Sequence, residues 1–183
     1  QNSDPVLIVN VGGWSQKGFL DKIEVQEKTA ILMKSLSQID FTGVELSIQT
    51  MPPYPWHFGG QQFHNLFVDP EFIDEFCSET GHKICFDVSH SMMTCNYLNI
   101  DFMEEYYLKI KNHVNYMHIV DAKGVDGEGV QIGSGDVPFN ELSHTLNRDL
   151  PQVAFVPEVW QGHKDSGAGF WDALNFLSNV GLK

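Results

Sequence analysis

Four brief apolar runs in this chain each carry or end in an acidic or imidazole side chain, and that repetition restricts the fold more than any other feature. They are GVELSIQT (residues 43–50), KICFDVSH (83–90), YMHIVDA (116–122) and AFVPEVWQGH (154–163). Runs this short, bounded by polar or turn-forming residues, suit buried strands. A fifth, VLIVNV (6–11), opens the chain and is closed by Gly12 and Gly13, with Trp14 following. If residues 84–86 form a parallel strand, Asp87 emerges at its carboxyl end and His90 lies on the loop just beyond. Open α/β sheets and closed barrels keep their chemistry at that end.

Helical patterns separate the runs. Residues 21–38 carry Ile23, Ile31, Leu32 and Leu36 among Lys, Glu and Gln, an amphipathic spacing. Asp69 followed by Pro70 reads as an N-cap with proline at the first helical position, and Gly81 as the stop. Asp101 and Glu104 have the spacing of a capping pair, and Phe102, Tyr106, Ile110 and Val114 recur every four residues. A short helix near 139–147 and a last one over 169–180, with Phe170, Leu174 and Leu177 facing in, complete the series. Strands alternating with helices mean parallel βαβ units joined by right-handed crossovers. The pattern fits part of a (β/α)₈ barrel or an open doubly wound sheet. No GxGxxG follows the first strand, so a dinucleotide fold has little support.

A length of 183 residues allows one domain with a real core. The formal charge of −13, with Arg148 the sole arginine, argues against an electrostatic grip on nucleic acid. No apolar run is long enough to span a membrane, and the opening QNSDP has neither a basic region nor a hydrophobic signal core. Cys77, Cys85 and Cys95 are odd in number and lack CxxC spacing, which disfavours a disulfide scaffold or a cysteine zinc site and suits a reducing cytoplasm.

Glu45, Asp87, His118 and Glu158 lie on four different strands, so closing the sheet is expected to bring them to one rim. Three carboxylates and one imidazole suit Mn²⁺, Mg²⁺ or Co²⁺, with Zn²⁺ also possible. Each residue alone is weak evidence: a single strand-end Glu is commonly solvated, and a single His is commonly hydrogen-bonded in the core. His90 is read as a substrate contact. Trp14 and the long loop over 51–67, which holds Trp56, His57 and His64, offer aromatic and polar groups suited to a sugar; a hydrophobic plug over the barrel mouth is the competing reading of that loop. The glycine-rich loop containing Asp121, Asp126 and Glu128 either lets backbone approach a ligand or is a solvated turn.

FDVSH, MHIVDAKGVDGEGVQIGSGDVPF and VPEVW, in that order and spacing, resemble the xylose isomerase-like TIM-barrel superfamily, which holds sugar and sugar-phosphate isomerases and epimerases and the type IV apurinic endonucleases. The resemblance implies one divalent metal held by Glu, Asp, His and Glu on the last four strands, matched here to Glu45, Asp87, His118 and Glu158, with His90 in the place of a substrate-binding histidine. It further implies that the two glutamates form an acid/base pair moving a proton beside a carbonyl. In the endonuclease branch an Asp-x-His follows the HxxDAK string; here the corresponding residues are Asp126, Gly127 and Glu128, so that histidine is missing. The strand over 6–11 also lacks the endonucleases' zinc histidine.

The matched strands correspond to the fourth through eighth of the barrel. The expected architecture is therefore an incomplete (β/α)₈ barrel over residues 1–183 as a single domain, with the first three βα units absent. Two exposed parallel edges are disfavoured, so a missing N-terminal segment or a homo-oligomeric partner is expected to cover them. The expected function is metal-dependent isomerisation or epimerisation of a small carbohydrate, a sugar or sugar phosphate, by proton transfer beside a carbonyl, without nucleic-acid or membrane partners. An apurinic endonuclease-like phosphodiesterase is the less favoured reading within the same superfamily. A non-catalytic sugar-binding module is the alternative from another class.

Overall fold

The computed structural model describes residues 4–57 and 59–182. The opening stretch read above for a signal core falls partly on residues 1–3, outside the described residues. Five strands, β1 (Val6–Val9), β2 (Glu45–Gln49), β3 (Lys83–Asp87), β4 (Val114–Ile119) and β5 (Ala154–Pro157), form one sheet in the order of the sequence. All neighbouring pairs are parallel. Sequential parallel order with a helical crossover at every step gives five of the eight units of a (β/α)₈ barrel and departs from the open doubly wound sheet that the alternation of patterns also allows.

The register assigns each side chain to a face. Gln49 pairs with Cys85, Cys85 with Tyr116, Asp87 with His118 and His118 with Val156. Directly paired residues share a face and successive residues alternate. Leu46, Ile48, Ile84, Phe86, Met117 and Ile119 thus face the helices and are buried in the core. The opposite face carries Ser47, Gln49, Cys85, Asp87, Tyr116 and His118, a polar surface of the kind that lines a site. Among the described residues, β1 and β5 each pair on one side only, and Leu7 and Val156 on them are exposed.

Helices α1 (Lys22–Leu36) and α2 (Pro70–Thr80) form where their local signals place them, although on α1 only Leu32 and Leu36 of the expected stripe are buried, Ile23 and Ile31 being exposed. Asp21 and Glu24 form a capping box on α1. Asp69 accepts from the Glu71 and Phe72 amides, Pro70 occupies the first turn, and Gly81 ends α2 in the left-handed conformation, where the absence of a Cβ removes the steric cost. A further helix, α3 (Val88–Leu98), begins immediately after β3. His90 therefore lies in the first turn of a helix, not on a loop. The pattern over 101–114 differs in a second way. Phe102–Tyr107 is a π-helical turn, and Val114 already belongs to β4. Because the π turn inserts one residue, the carboxylate that reaches back to the Asp101 amide is Glu105 at 2.7 Å, in place of the expected Glu104.

The chain closes with α4 (Phe139–Asp149), β5 and α5 (Lys164–Asn179). The glycine-rich loop contains a small antiparallel ladder between Asp121–Lys123 and Gly127–Val130. Two-residue ladders also give the long loop over 51–67 definite shape: Trp56–His57 pairs with Gly60–Gln61, and Phe63–His64 pairs back to Trp14–Ser15. Among the described residues no helix is long and apolar enough to cross a membrane.

Candidate metal centre

Asp87 is the last residue of β3, and its side chain serves two directions. Oδ1 accepts from the His90 amide at 3.0 Å and the Ser89 hydroxyl at 3.1 Å, capping α3. Oδ2 faces the polar side of the sheet, 3.0 Å from Nε2 of Gln49, 3.4 Å from Nδ1 of His90 and 3.5 Å from Nδ1 of His118. The Thr50 hydroxyl accepts from the Asp87 amide at 2.9 Å and locks the ends of β2 and β3 together. Burial alone would raise the Asp87 carboxyl; the charge of His90 and the hydrogen bond from His118 outweigh it and hold the group at about 2.

His118, one residue before the end of β4, points Nδ1 at Oε2 of Glu158, 2.6 Å away. Burial opposes its charge, yet hydrogen bonds to Asp87, Cys85 and Glu158 hold the imidazole far above its ordinary value. Glu158 follows β5 directly, and its amide donates to the Ile119 carbonyl at 3.3 Å, which fixes the backbone beside β4. Asp87, His118 and Glu158 each present one ligand atom, and these atoms lie within 4.8 Å of one another. Two carboxylate oxygens and one imidazole nitrogen facing a common point could hold a divalent cation such as Mn²⁺, Co²⁺ or Zn²⁺, with Mg²⁺ less well served by the nitrogen donor.

Glu45 does not join them. It is the first residue of β2, in register with Val6, and exposed at the amino end of the strand. Four residues at ~3.3 Å each separate it by about 13 Å from the end that meets Asp87. The side chain that β2 brings to the site is Gln49, 3.0 Å from Asp87 and 3.3 Å from Nδ1 of His118. A carboxamide thus stands where the family resemblance implies a carboxylate.

His90 is buried on the other side of Asp87. Nδ1 lies 2.8 Å from the Thr50 carbonyl, to which it donates, leaving Nε2 to meet Oε1 of Glu128 at 3.0 Å. Burial lowers its proton affinity, but the charge of Asp87 and the bond to Glu128 prevail and raise it to about 9. Asp87 is flanked by two imidazoles, each with a glutamate on its far side.

A cleft of about 580 Å³ opens over these groups, lined by Tyr54, Trp56, Asp87, Asp126, Glu128, Glu158 and Trp160. Trp56 and Trp160 are 70% and 76% exposed. A smaller recess beside it is lined by Gln49, His57, His90, Glu128 and Glu158. Trp56 and His57 are therefore at the site. Trp14 and His64 pair with each other across their short ladder and line neither cavity; His64 is wholly buried, with Nδ1 on the Leu66 carbonyl. The sequence marks Glu128 only within a loop that either approaches a ligand or is a solvated turn, and Trp160 only within the VPEVW string. Their approach depends on the hydrogen bond from the Trp160 amide to the Gly129 carbonyl at 2.8 Å, a pairing of two loops that no local pattern announces.

Asp121 has a different role. It is buried and accepts from four backbone amides, those of Ala122, Gly133, Gly135 and Val137. It organises the glycine-rich loop and does not face the cleft.

The fold has known counterparts. At the level of sequence, 132 residues are 27% identical to an uncharacterized protein of Methanocaldococcus jannaschii, a match covering 69% of this chain and 46% of that protein. Among solved structures, a putative xylose isomerase from Rhodospirillum rubrum superposes with a TM-score of 0.69 at 11% identity, covering 96% of this chain and 61% of the other. An L-ribulose 3-epimerase gives 0.65 at 14% identity, covering 96% and 61%. Endonuclease IV from Thermus thermophilus gives 0.60 at 13%, covering 95% and 62%. The chain thus spans about half the length of the curated relative it matches and less than two thirds of these structures. Residues 8–180 match the family described as xylose isomerase-like TIM barrel, and the chain belongs to that family.

Proposed function

We propose that this chain carries the metal-binding part of the catalytic site of a sugar or sugar-acid isomerase or epimerase, working by proton transfer at the carbon beside a carbonyl. The observation that carries the reading is the convergence of Asp87, His118 and Glu158 within 4.8 Å beneath a cleft flanked by two exposed tryptophans. A divalent cation bound there would supply Lewis-acid polarisation of a carbonyl oxygen. Glu158, with its side chain 55% exposed at the cleft, would take the proton from the neighbouring carbon and return it. Asp87 is too deeply buried, and too fully engaged by amides and imidazoles, to exchange protons with a ligand, so it holds position. His90 donates to Thr50 from one nitrogen and meets Glu128 through the other, so a substrate oxygen would contact it by taking the place of Glu128. Trp56 and Trp160 offer flat apolar faces for the C–H side of a sugar ring.

The names of similar structures agree with this reading, since epimerases and a putative xylose isomerase are among them. One observation favours a second reading, a sugar-binding module without catalysis: β2 brings Gln49 to the site, so the implied pair of glutamates is reduced to Glu158. In the assembled protein, further strands or a second copy would cover the edges of β1 and β5. The free, buried thiols of Cys77, Cys85 and Cys95 suit a reducing cytoplasm.

The test is solvent-deuterium incorporation beside the carbonyl, followed by proton NMR across a panel of ketoses in the presence of Mn²⁺ or Co²⁺. Wild-type protein should exchange at least one sugar, and Glu158→Gln should lower that rate by roughly 10²-fold or more while still binding it. Binding without exchange in the wild type would favour the non-catalytic module.

A further inference from the structure

We propose that Gln49 is the fourth ligand of the metal centre, presenting its carboxamide oxygen to the cation held by Asp87, His118 and Glu158. The centre then carries two carboxylate charges where the family resemblance implies three. The inference rests on the reading under Proposed function and specifies the site's own chemistry. Gln49 is the last residue of β2, in register with Cys85, and so shares the face and the strand end from which Asp87 and His118 project. Its amide nitrogen lies 3.0 Å from Oδ2 of Asp87 and 3.3 Å from Nδ1 of His118, the two atoms that face the common point. In the absence of a cation an amide N–H₂ satisfies that carboxylate well. With a cation between them the same nitrogen cannot coordinate, and a half-turn of the planar terminal amide puts Oε1 in its place without moving the chain.

The consequences follow from charge. A neutral carbonyl oxygen is a legitimate ligand for Mn²⁺ or Co²⁺ but attracts the ion less than a carboxylate does. A carboxamide also takes up no proton, so β2 supplies a ligand and no base.

The test is Mn²⁺ binding to chelator-treated protein, measured by isothermal titration calorimetry, for wild type, Gln49→Glu and Gln49→Ala. Co²⁺ absorption reads the coordination directly. Gln49→Glu should bind Mn²⁺ about tenfold or more tightly, and Gln49→Ala about tenfold or more weakly, with an altered Co²⁺ visible spectrum in both. A residue that merely hydrogen-bonds Asp87 can shift affinity in both variants, through charge or a lost contact, but leaves the coordination number unchanged, so the Co²⁺ visible spectrum of Gln49→Ala is the deciding readout. Gln49→Glu sets three carboxylates side by side, so its metal-free form should melt earlier and regain stability on adding Mn²⁺, which separates a ligand from a folding defect. Wild-type binding with an unchanged Co²⁺ spectrum in Gln49→Ala, whatever the affinities, would overturn this inference alone. Wild-type protein that binds neither ion would overturn it together with the reading it rests on.

Discussion

Oδ2 of Asp87 lies 3.5 Å from Nδ1 of His118, across a rung of the sheet in which the two residues are direct partners. The carboxylate is buried, and its ionised form survives because two imidazoles and the first turn of α3 surround it. Strand pairing, helix capping and site assembly therefore meet in one side chain.

Replacing that side chain separates these roles. Asp87→Ala removes the cap of α3 and leaves His90 and His118 without their shared counter-charge, a loss expected to cost about 3–5 kcal/mol. Asp87→Asn keeps an oxygen for the His90 amide and should cost less, while still losing the ability to retain a divalent ion. Urea denaturation of the metal-free proteins checks the first expectation, and metal content after dialysis the second. An alanine variant within about 1 kcal/mol of wild type would show that the histidines do not depend on this carboxylate.

Asp121 offers a test of structure without chemistry. Its carboxylate accepts from four amides spread over residues 122–137, and a Cβ added at Gly135 would strike both that carboxylate and the Ala122 carbonyl. Hydrogen bonds to a charged acceptor contribute about 1.5–3 kcal/mol each and are not additive. Asp121→Ala should therefore cost about 3 kcal/mol or more and open residues 124–137 to proteolysis. Gly135→Ala should act in the same direction. Limited proteolysis followed by mass spectrometry locates the cut; cleavage elsewhere would contradict the assignment.

How far the sequence reveals such features depends on how local their causes are. The helix from Pro70 to Thr80 is legible end to end, because Asp69, Pro70 and Gly81 each act within one turn. Asp87, His118 and Glu158 are legible as a group, because each lies within or at the end of a short apolar run. Glu45 is misassigned for a physical reason. Glu45 and Gln49 point to the same face, since period two returns every second residue to one side, and periodicity alone does not tell one end of a strand from the other. The signal that distinguishes them is position: Asp87 ends its strand and Gln49 ends its own, just before Pro52 and Pro53. Helix α3 escapes notice because Val88, Ser89, His90, Ser91, Met93, Thr94 and Cys95 are all buried, leaving no polar stripe to contrast with an apolar one. The pairing of Glu128 with His90 and the approach of Trp160 to Gly129 are set by tertiary structure alone.

Trp160 separates binding from stability. Its ring is 76% exposed, so Trp160→Ala should change stability by no more than about 0.5 kcal/mol. Its place at the cleft should nevertheless make it a contact for a bound sugar, with affinity falling roughly fivefold to tenfold in the variant. Paired thermal melts and sugar titrations, repeated with Trp56→Ala, check both halves. A large drop in melting temperature with unchanged sugar affinity would place the ring in the fold and not the site.

His64 sets the acid side of stability. The ring is buried in the pair of short strands opposite Trp14; burial, reinforced by the charges of His57 and His90, pushes its proton affinity down to about 4 against the opposing bond to the Leu66 carbonyl. A histidine depressed on folding binds its proton more readily in the unfolded chain. Its contribution is fully present above the unfolded value of about 6.5 and is lost as pH falls from there towards 4. A shift of this size corresponds to at most about 3 kcal/mol. His82, also lowered by burial, adds with the same sign. His90 and His118 are raised, so their stabilisation is intact below 6.5 and is lost only on the alkaline side; Asp87, held at about 2, begins to lose its own only below about 4. The window between pH 6.5 and 4 therefore isolates the depressed histidines. His64→Asn, whose amide can still donate to Leu66, should flatten the fall in unfolding free energy across that window relative to wild type. Equal slopes for the two proteins in urea titrations at pH 7, 6, 5 and 4.5 would show that the buried ring does not control acid stability.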